Sequence, residues 1–153
     1  MISIIVPCLN EEEVLPLFYQ SVEDLLPELG AEIEYVFVDD GSNDGTLELL
    51  KAYRVQNPAV RYVSFSRNFG KEAALYAGLQ HATGDLVVVM DADLQDPPSM
   101  LLEMKALLDQ NADLDCVGTR RTSREGEPFF RSFCANLFYR LMQKISPVAL
   151  PSG

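Results

Sequence analysis

The chain has no tryptophan, one histidine and three cysteines, Cys8, Cys116 and Cys134, that stand far apart. An odd number of cysteines without a C-x-x-C pair excludes a disulfide framework and a zinc site. They read as reduced thiols in a cytosolic setting, each a small buried hydrophobe. His81 falls in the last turn of an expected helix, where a cation suits the dipole, and no second imidazole remains for a Ser/His/Asp nucleophile. Cations are also scarce: 12 Lys and Arg stand against 23 Asp and Glu, a net charge of -11. That balance excludes a nucleic-acid groove, which needs clustered basic residues, and it means that an anionic substrate requires local help from a divalent cation, helix N-termini or a few placed arginines. No apolar run approaches the about 20 residues of a membrane span, and Ile2–Val6 reaches Pro7 with no basic leader, so this piece is expected to be soluble.

What is present suffices for one domain: 153 residues, 48% of them hydrophobic. Short β-branched runs alternate with helical patterns. Strands are expected at Ile2–Val6, Glu34–Val38, Val60–Ser64, Leu86–Met90 and Leu114–Gly118, with the fourth fully buried. Helices are expected at about Glu12–Leu29, Asp44–Gln56, Lys71–His81 and from Pro97 to about Gln110. Ser42 or Asn43 is placed to cap the second helix, and Asn10 to cap the first. Continuous apolar strands joined by helices predict a doubly wound α/β core with a parallel sheet covered on both faces. Ligands of such sheets bind beyond the carboxyl ends of the strands, near the switch point.

The strongest candidate there is Asp91-Ala92-Asp93, directly after an apolar strand. Alternate residues of an extended segment project to one side, so Asp91 and Asp93 converge on a hard cation, Mg²⁺ or Mn²⁺, bridging a diphosphate, with Gln95 next in the alternation. A bare D-x-D is weak by itself, because acidic loop residues are common. Asp39-Asp40-Gly41-Ser42-Asn43-Asp44-Gly45 follows another strand, and a carboxylate there suits a ribose or base, although a capped βα turn explains the same residues. The first turn, Pro7-Cys8-Leu9-Asn10-Glu11, lacks a glycine-rich phosphate cradle. Its absence counts against a Rossmann dehydrogenase, a P-loop enzyme and a nucleotidyltransferase. Arg67 and Lys71, in the loop after the third strand, place two cations near the same rim. Arg120, Arg121, Arg124 and Arg131 form a basic cluster before an apolar helix expected from about Phe129 to Ile145.

Taken together, Ile2–Glu11, Val38–Thr46 and Met90–Pro97 resemble family 2 glycosyltransferases, and Ser66–Leu75 is similar more narrowly to bactoprenol glucosyltransferases, relatives of dolichol-phosphate mannose synthase. The resemblance implies a GT-A nucleotide-diphospho-sugar transferase fold with a Rossmann-like donor half. It also implies inverting transfer of a hexose from a nucleotide-sugar, of the UDP-glucose or GDP-mannose type, to a polyprenyl phosphate such as undecaprenyl phosphate, in cell-wall or lipopolysaccharide biosynthesis. The residues it assigns to the nucleotide-sugar are Pro7, Leu9, Glu11, Val38, Asp40, Asp91, Ala92, Asp93, Gln95 and Arg120. Asp91, Asp93 and Gln95 hold the Mg²⁺ or Mn²⁺, and Asp91 and Asp93 are the catalytic pair. Leu9 stands where the mannose synthases often carry an aromatic residue, which leaves the base open.

Residues 1–153 are expected to be the N-terminal, donor-binding part of a catalytic domain cut before the rest of the acceptor region and the membrane helices. The whole protein would then work at the cytoplasmic face of the cell membrane. A family 2 enzyme building a polysaccharide or glycan, and a donor-binding module without turnover, are the alternatives. The expected helix at Phe129–Ile145 suits a partner subunit in a homo-oligomer, the missing C-terminal part or a membrane surface, and composition does not choose among them.

Overall fold

The computed structural model describes residues 1–119. The chain forms two units, Met1–Ala112 and Asp113–Gly153. The first carries β1 (Ile2–Cys8), α1 (Leu15–Glu23), α2 (Leu26–Leu29), β2 (Ile33–Asp39), α3 (Thr46–Gln56), β3 (Val60–Ser64), α4 (Lys71–His81), β4 (Leu86–Val89) and α5 (Met100–Gln110). The four strands pair in the order β3-β2-β1-β4, and every pairing is parallel. The chain therefore winds outward from β1 to β3 and then returns to the other side of β1. The doubly wound expectation holds, and the switch point lies between β1 and β4.

β1 is central and buried on both sides. Ile2, Ile4, Val6 and Cys8 join Tyr35 and Phe37 of β2 in a core with Leu15, Phe18 and Val22 of α1, Leu50 of α3 and Leu101 of α5. The other face carries α4, which packs on β1 and β2. Gly78 makes that approach feasible, because a Cβ there would lie 2.3 Å from Ile5 Cγ2. The β1–β4 ladder runs from Ile2↔Leu86 to Ile5↔Val89 and closes with the Met90 N–H donating to the Ile5 carbonyl at 2.9 Å. The next rung would take the N–H of Pro7, which proline lacks. β1 and the chain after Met90 are released from each other at that residue.

Several elements differ from expectation for identifiable reasons. The first helix is two, α1 and α2, because Pro27 has no N–H to donate and its ring crowds the carbonyl four residues back. Gly30, at φ 60°, closes α2 by donating to the Leu26 carbonyl. Asn10, Ser42 and Asn43 cap no helix. The Asn10 N–H donates to Ser42 Oγ at 2.9 Å and the Asn43 N–H to Asn10 Oδ1 at 2.8 Å, stitching the first two βα loops together. Asp44 holds the start of α3 instead, accepting from the Thr46 N–H and hydroxyl at 3.1 and 2.6 Å.

β4 is not fully buried and stops at Val89: Val87 and Val89 are 45% and 46% exposed. Among the described residues it pairs with β1 alone, while α4 lies over β1 and β2. Leu114–Gly118, in the second unit, forms no strand, and Cys116 is exposed rather than buried. Two aspartates and a glycine at residues 113, 115 and 118 disfavour an extended pairing there. Cys134, the basic cluster from Arg120 onward and the Phe129–Ile145 helix lie outside the described residues. Among the described residues, no helix is long and apolar enough to cross a membrane.

At the amino end of the sheet Glu34 is buried and fully engaged. It accepts from Ser3 Oγ at 2.6 Å, from the Thr83 backbone and hydroxyl, and from Arg61 Nη1 at 3.3 Å. Burial alone would raise its pKa, but the donors from Ser3, Thr83 and Arg61 outweigh it and hold the carboxyl at about 2, below the ordinary 4.5. A depressed carboxyl stabilises the fold above the unfolded-state pKa and loses that contribution as pH falls through the folded one. Glu34→Gln is expected to cost about 2 kcal/mol at neutral pH, and to flatten the loss of stability between pH of about 4.5 and 2. Urea unfolding of both proteins across that range measures it.

Candidate active site

The carboxyl ends of β1, β2 and β4 and the loop after β3 surround a cleft of about 360 Å³. Its walls include Pro7, Leu9, Glu11, Asp40, Lys71 and Asp93, with Asp91 and Ala92 at the β4 edge. Most of the residues singled out in the sequence thus meet in one place, at the switch point where β1 and β4 part. Val38 does not line it: it is fully buried in β2 (0% exposed). Gln95 is also outside the lining, and Arg120 lies outside the described residues. Asn68, Gly70 and Ala74 line the cleft without having been singled out by role, although the first two belong to the loop whose cations drew attention.

The two cations of that loop part company. Arg67 stacks its guanidinium over the Phe69 ring at 4.2 Å, while Lys71, the first residue of α4, reaches into the cleft. Lys71 Nζ lies 2.7 Å from each carboxylate oxygen of Asp91.

Asp40 has a defined task. Its Oδ1 and Oδ2 accept from the Phe69 and Gly70 N–H groups at 2.7 and 3.0 Å, which ties the rim of β2 to the start of α4. Asp39, beside it, accepts from the Ser42 N–H and the Ser64 hydroxyl and is equally buried. The contact between these loops is close. Gly41 has φ 73°, and a Cβ on it would lie 2.4 Å from the Arg67 carbonyl carbon.

The segment after β4 is a turn rather than an extended strand. Leu94 has φ 57°, and the Gln95 N–H donates to Asp93 Oδ1 at 3.0 Å. The expected alternation of Asp91, Asp93 and Gln95 along a strand is therefore not the geometry that presents the carboxylates. Ala92 is buried in the core and Leu94 packs against it, which leaves Asp91 and Asp93 on the exposed side of the turn.

Negative charge accumulates across this cleft. The Glu11 carboxyl is pushed above its ordinary range, first by desolvation and then by Asp93, Asp44 and Asp91. Among the described residues, no three His, Cys, Asp or Glu side chains form a complete cage for a metal. Two exposed hard-oxygen carboxylates on one cleft, Asp91 already paired with a cation, nevertheless suit Mg²⁺ or Mn²⁺, which is commonly held by one or two carboxylates and completed by substrate phosphates and water. The Cys8 thiol offers no nucleophile: it is buried, and desolvation followed by Glu11, Asp39 and Asp44 pushes its pKa up.

Residues 3–149 match the family model described as glycosyl transferase family 2. The chain belongs to that family. It is 42% identical over 145 residues, 95% of its length, to a prophage bactoprenol glucosyl transferase homolog of Escherichia coli (strain K12), and covers 47% of that relative. Among solved structures it resembles glucosyl-3-phosphoglycerate synthase of Mycobacterium tuberculosis in complex with UDP, with a TM-score of 0.67 at 24% identity, covering 100% of this chain and 54% of that one. It also resembles the mannosyltransferase PcManGT of Pyrobaculum calidifontis in complex with GDP-Man and Mn²⁺, with a TM-score of 0.55 at 32% identity, covering 70% and 32% of the two chains. The family 2 chain has the GT-A fold of these transferases. It spans about half the length of the curated relatives it matches.

Gly41→Ala tests the junction that builds the cleft. The substitution combines a left-handed backbone with a backbone collision, so a loss on the order of 2–4 kcal/mol is expected. Thermal unfolding of wild type and variant reads it directly.

Proposed function

We propose that this chain is the donor-binding half of a metal-dependent inverting glycosyltransferase that moves a hexose from a nucleotide-sugar to a polyprenyl phosphate, in a longer protein acting at the cytoplasmic face of the membrane. The observation that carries the reading is the convergence of Asp91 and Asp93 with Glu11, Asp40 and Lys71 in one cleft at the switch point. Family membership supports the glycosyl transfer, and the bactoprenol named for the Escherichia coli relative supports the lipid acceptor.

Asp91 and Asp93 would hold the divalent ion, which supplies Lewis-acid stabilisation of the leaving diphosphate. Glu11 and Asp40, from the first two βα loops, line the cleft and would take the ribose and base. Asp40 keeps a lone pair on each oxygen beyond the two amide bonds that fix it. Pro7 and Leu9 give the cleft its apolar wall. In the transfer an acceptor phosphate oxygen forms the new bond to the anomeric carbon from the face opposite the departing nucleoside diphosphate. A phosphate ester, with a second pKa of about 6, is already ionised at neutral pH, so the step needs no strong base from the protein.

Calorimetric titration with UDP-glucose and GDP-mannose, each with Mn²⁺ and with chelator, tests the reading. One of the two donors is expected to bind with Mn²⁺ and to weaken at least about tenfold, roughly 1.4 kcal/mol, with chelator or in Asp93→Asn. Donor binding that ignores both chelator and Asp93→Asn would refute the metal assignment.

A further inference from the structure

We propose that Lys71 is a placeholder cation: its ammonium holds the Asp91 carboxylate while the divalent ion is absent, and yields it when the ion and the donor's phosphates arrive together. This inference rests on the proposed metal–diphosphate reading of the cleft. Its starting point is geometric. Lys71 Nζ straddles Asp91, 2.7 Å from both oxygens, and so covers the side of the carboxylate on which a cation would bind.

The charges in the cleft explain why such an ammonium is useful. Glu11, Asp91 and Asp93 line one space, and among the described residues only Asp91 of these three is in an ion pair. Without a counter-cation the carboxylates would repel one another. With Lys71 in place the β4 turn keeps its position before any ligand arrives.

Exchange is built into the pair. The side chains of Lys71 and Asp91 are 56% and 47% exposed, so the bond is formed in contact with water and breaks at little cost. A lysine ammonium is a compact charge on a flexible four-carbon stem. A divalent ion bonded to Asp91 would stand within a few ångströms of the ammonium, and like charges at that distance exclude each other.

The displaced ammonium remains tethered at the first turn of α4, on the cleft wall, where the helix N-terminus also favours anions. A nucleoside diphosphate supplies the negative charge that receives it. Metal and nucleotide therefore bind with positive coupling, each raising the affinity for the other by the same factor.

The test follows free Mn²⁺ by electron paramagnetic resonance during titration of the full chain, with no nucleotide, with UDP and with GDP. Wild type, Lys71→Met, Lys71→Arg and Asp93→Asn are compared, after circular dichroism confirms that each is folded. Without nucleotide, Lys71→Met is expected to bind Mn²⁺ at least about fivefold more tightly than wild type, at the lower end of usual coupling factors. The nucleotide that promotes Mn²⁺ binding in wild type should promote it less in Lys71→Met, while Lys71→Arg should behave as wild type. Unchanged or weaker Mn²⁺ affinity in Lys71→Met, with wild-type binding still abolished by Asp93→Asn, overturns the placeholder and leaves the metal site standing. Mn²⁺ binding that is absent from all four proteins, or indifferent to Asp93→Asn, removes the metal reading and the placeholder with it.

Discussion

The missing N–H of Pro7 is the constraint on which the site depends. Parallel strands stay together as long as each rung finds its donor, and β1 has donors on both sides until the Met90-to-Ile5 bond. On the β2 side the ladder continues to Cys8↔Asp39, where Pro7 faces Val38 with its missing donor turned away. On the β4 side it ends, and the chain beyond Met90 turns into the core instead of following β1. A parallel sheet thus opens on one side of its central strand while remaining closed on the other. The cleft occupies that opening, and Pro7 is itself one of its walls.

On the side of the first three βα loops the opening is maintained by polar bonds between them. Asn10, Glu11 and Glu12 bond to Ser42, Asn43, Asp44, Gly45 and Thr46, and Asp40 bonds to the amides that begin α4. Each βα loop is held by the next around the rim. Many of the acceptors are carboxylates, which makes the rim rigid and also strongly negative. A cleft of this charge meets an anionic ligand only together with cations, and among the described residues the ammonium that lines it is that of Lys71.

The parallel order of the sheet, three of the helices and the location of the cleft were legible because they follow from local patterns: β-branched runs, apolar periodicity and the position of acidic residues after strands. Val60–Ser64 and Lys71–His81 have the limits expected from sequence. What escaped was set by contacts between distant segments. Asn10 and Ser42 look like helix caps, and only the approach of two loops makes them partners of each other. Val87 and Val89 read as core because a continuous apolar run does not say whether both faces of its strand are covered, and both are about half exposed. Arg67 and Lys71 are equivalent cations in a sequence, and the Phe69 ring separates their roles by taking the first.

The pairing of Asp91 with Asp93 is the instructive case, since it was anticipated from a strand geometry that the segment does not adopt. Two residues apart on a strand, side chains share a face because the backbone is extended. Here Leu94 sits in the left-handed region at φ 57°, a conformation costing a leucine about 1–2 kcal/mol, and the chain turns. The carboxylates still share a side because the residues before, between and after them are anchored: Met90 and Ala92 lie in the core, and Leu94 packs on it. Apolar burial replaces backbone extension as the cause of the same presentation. The strain at Leu94 is offset by the burial of its own side chain, and the turn holds Asp93 through the Gln95 amide at the place where β1 and β4 separate.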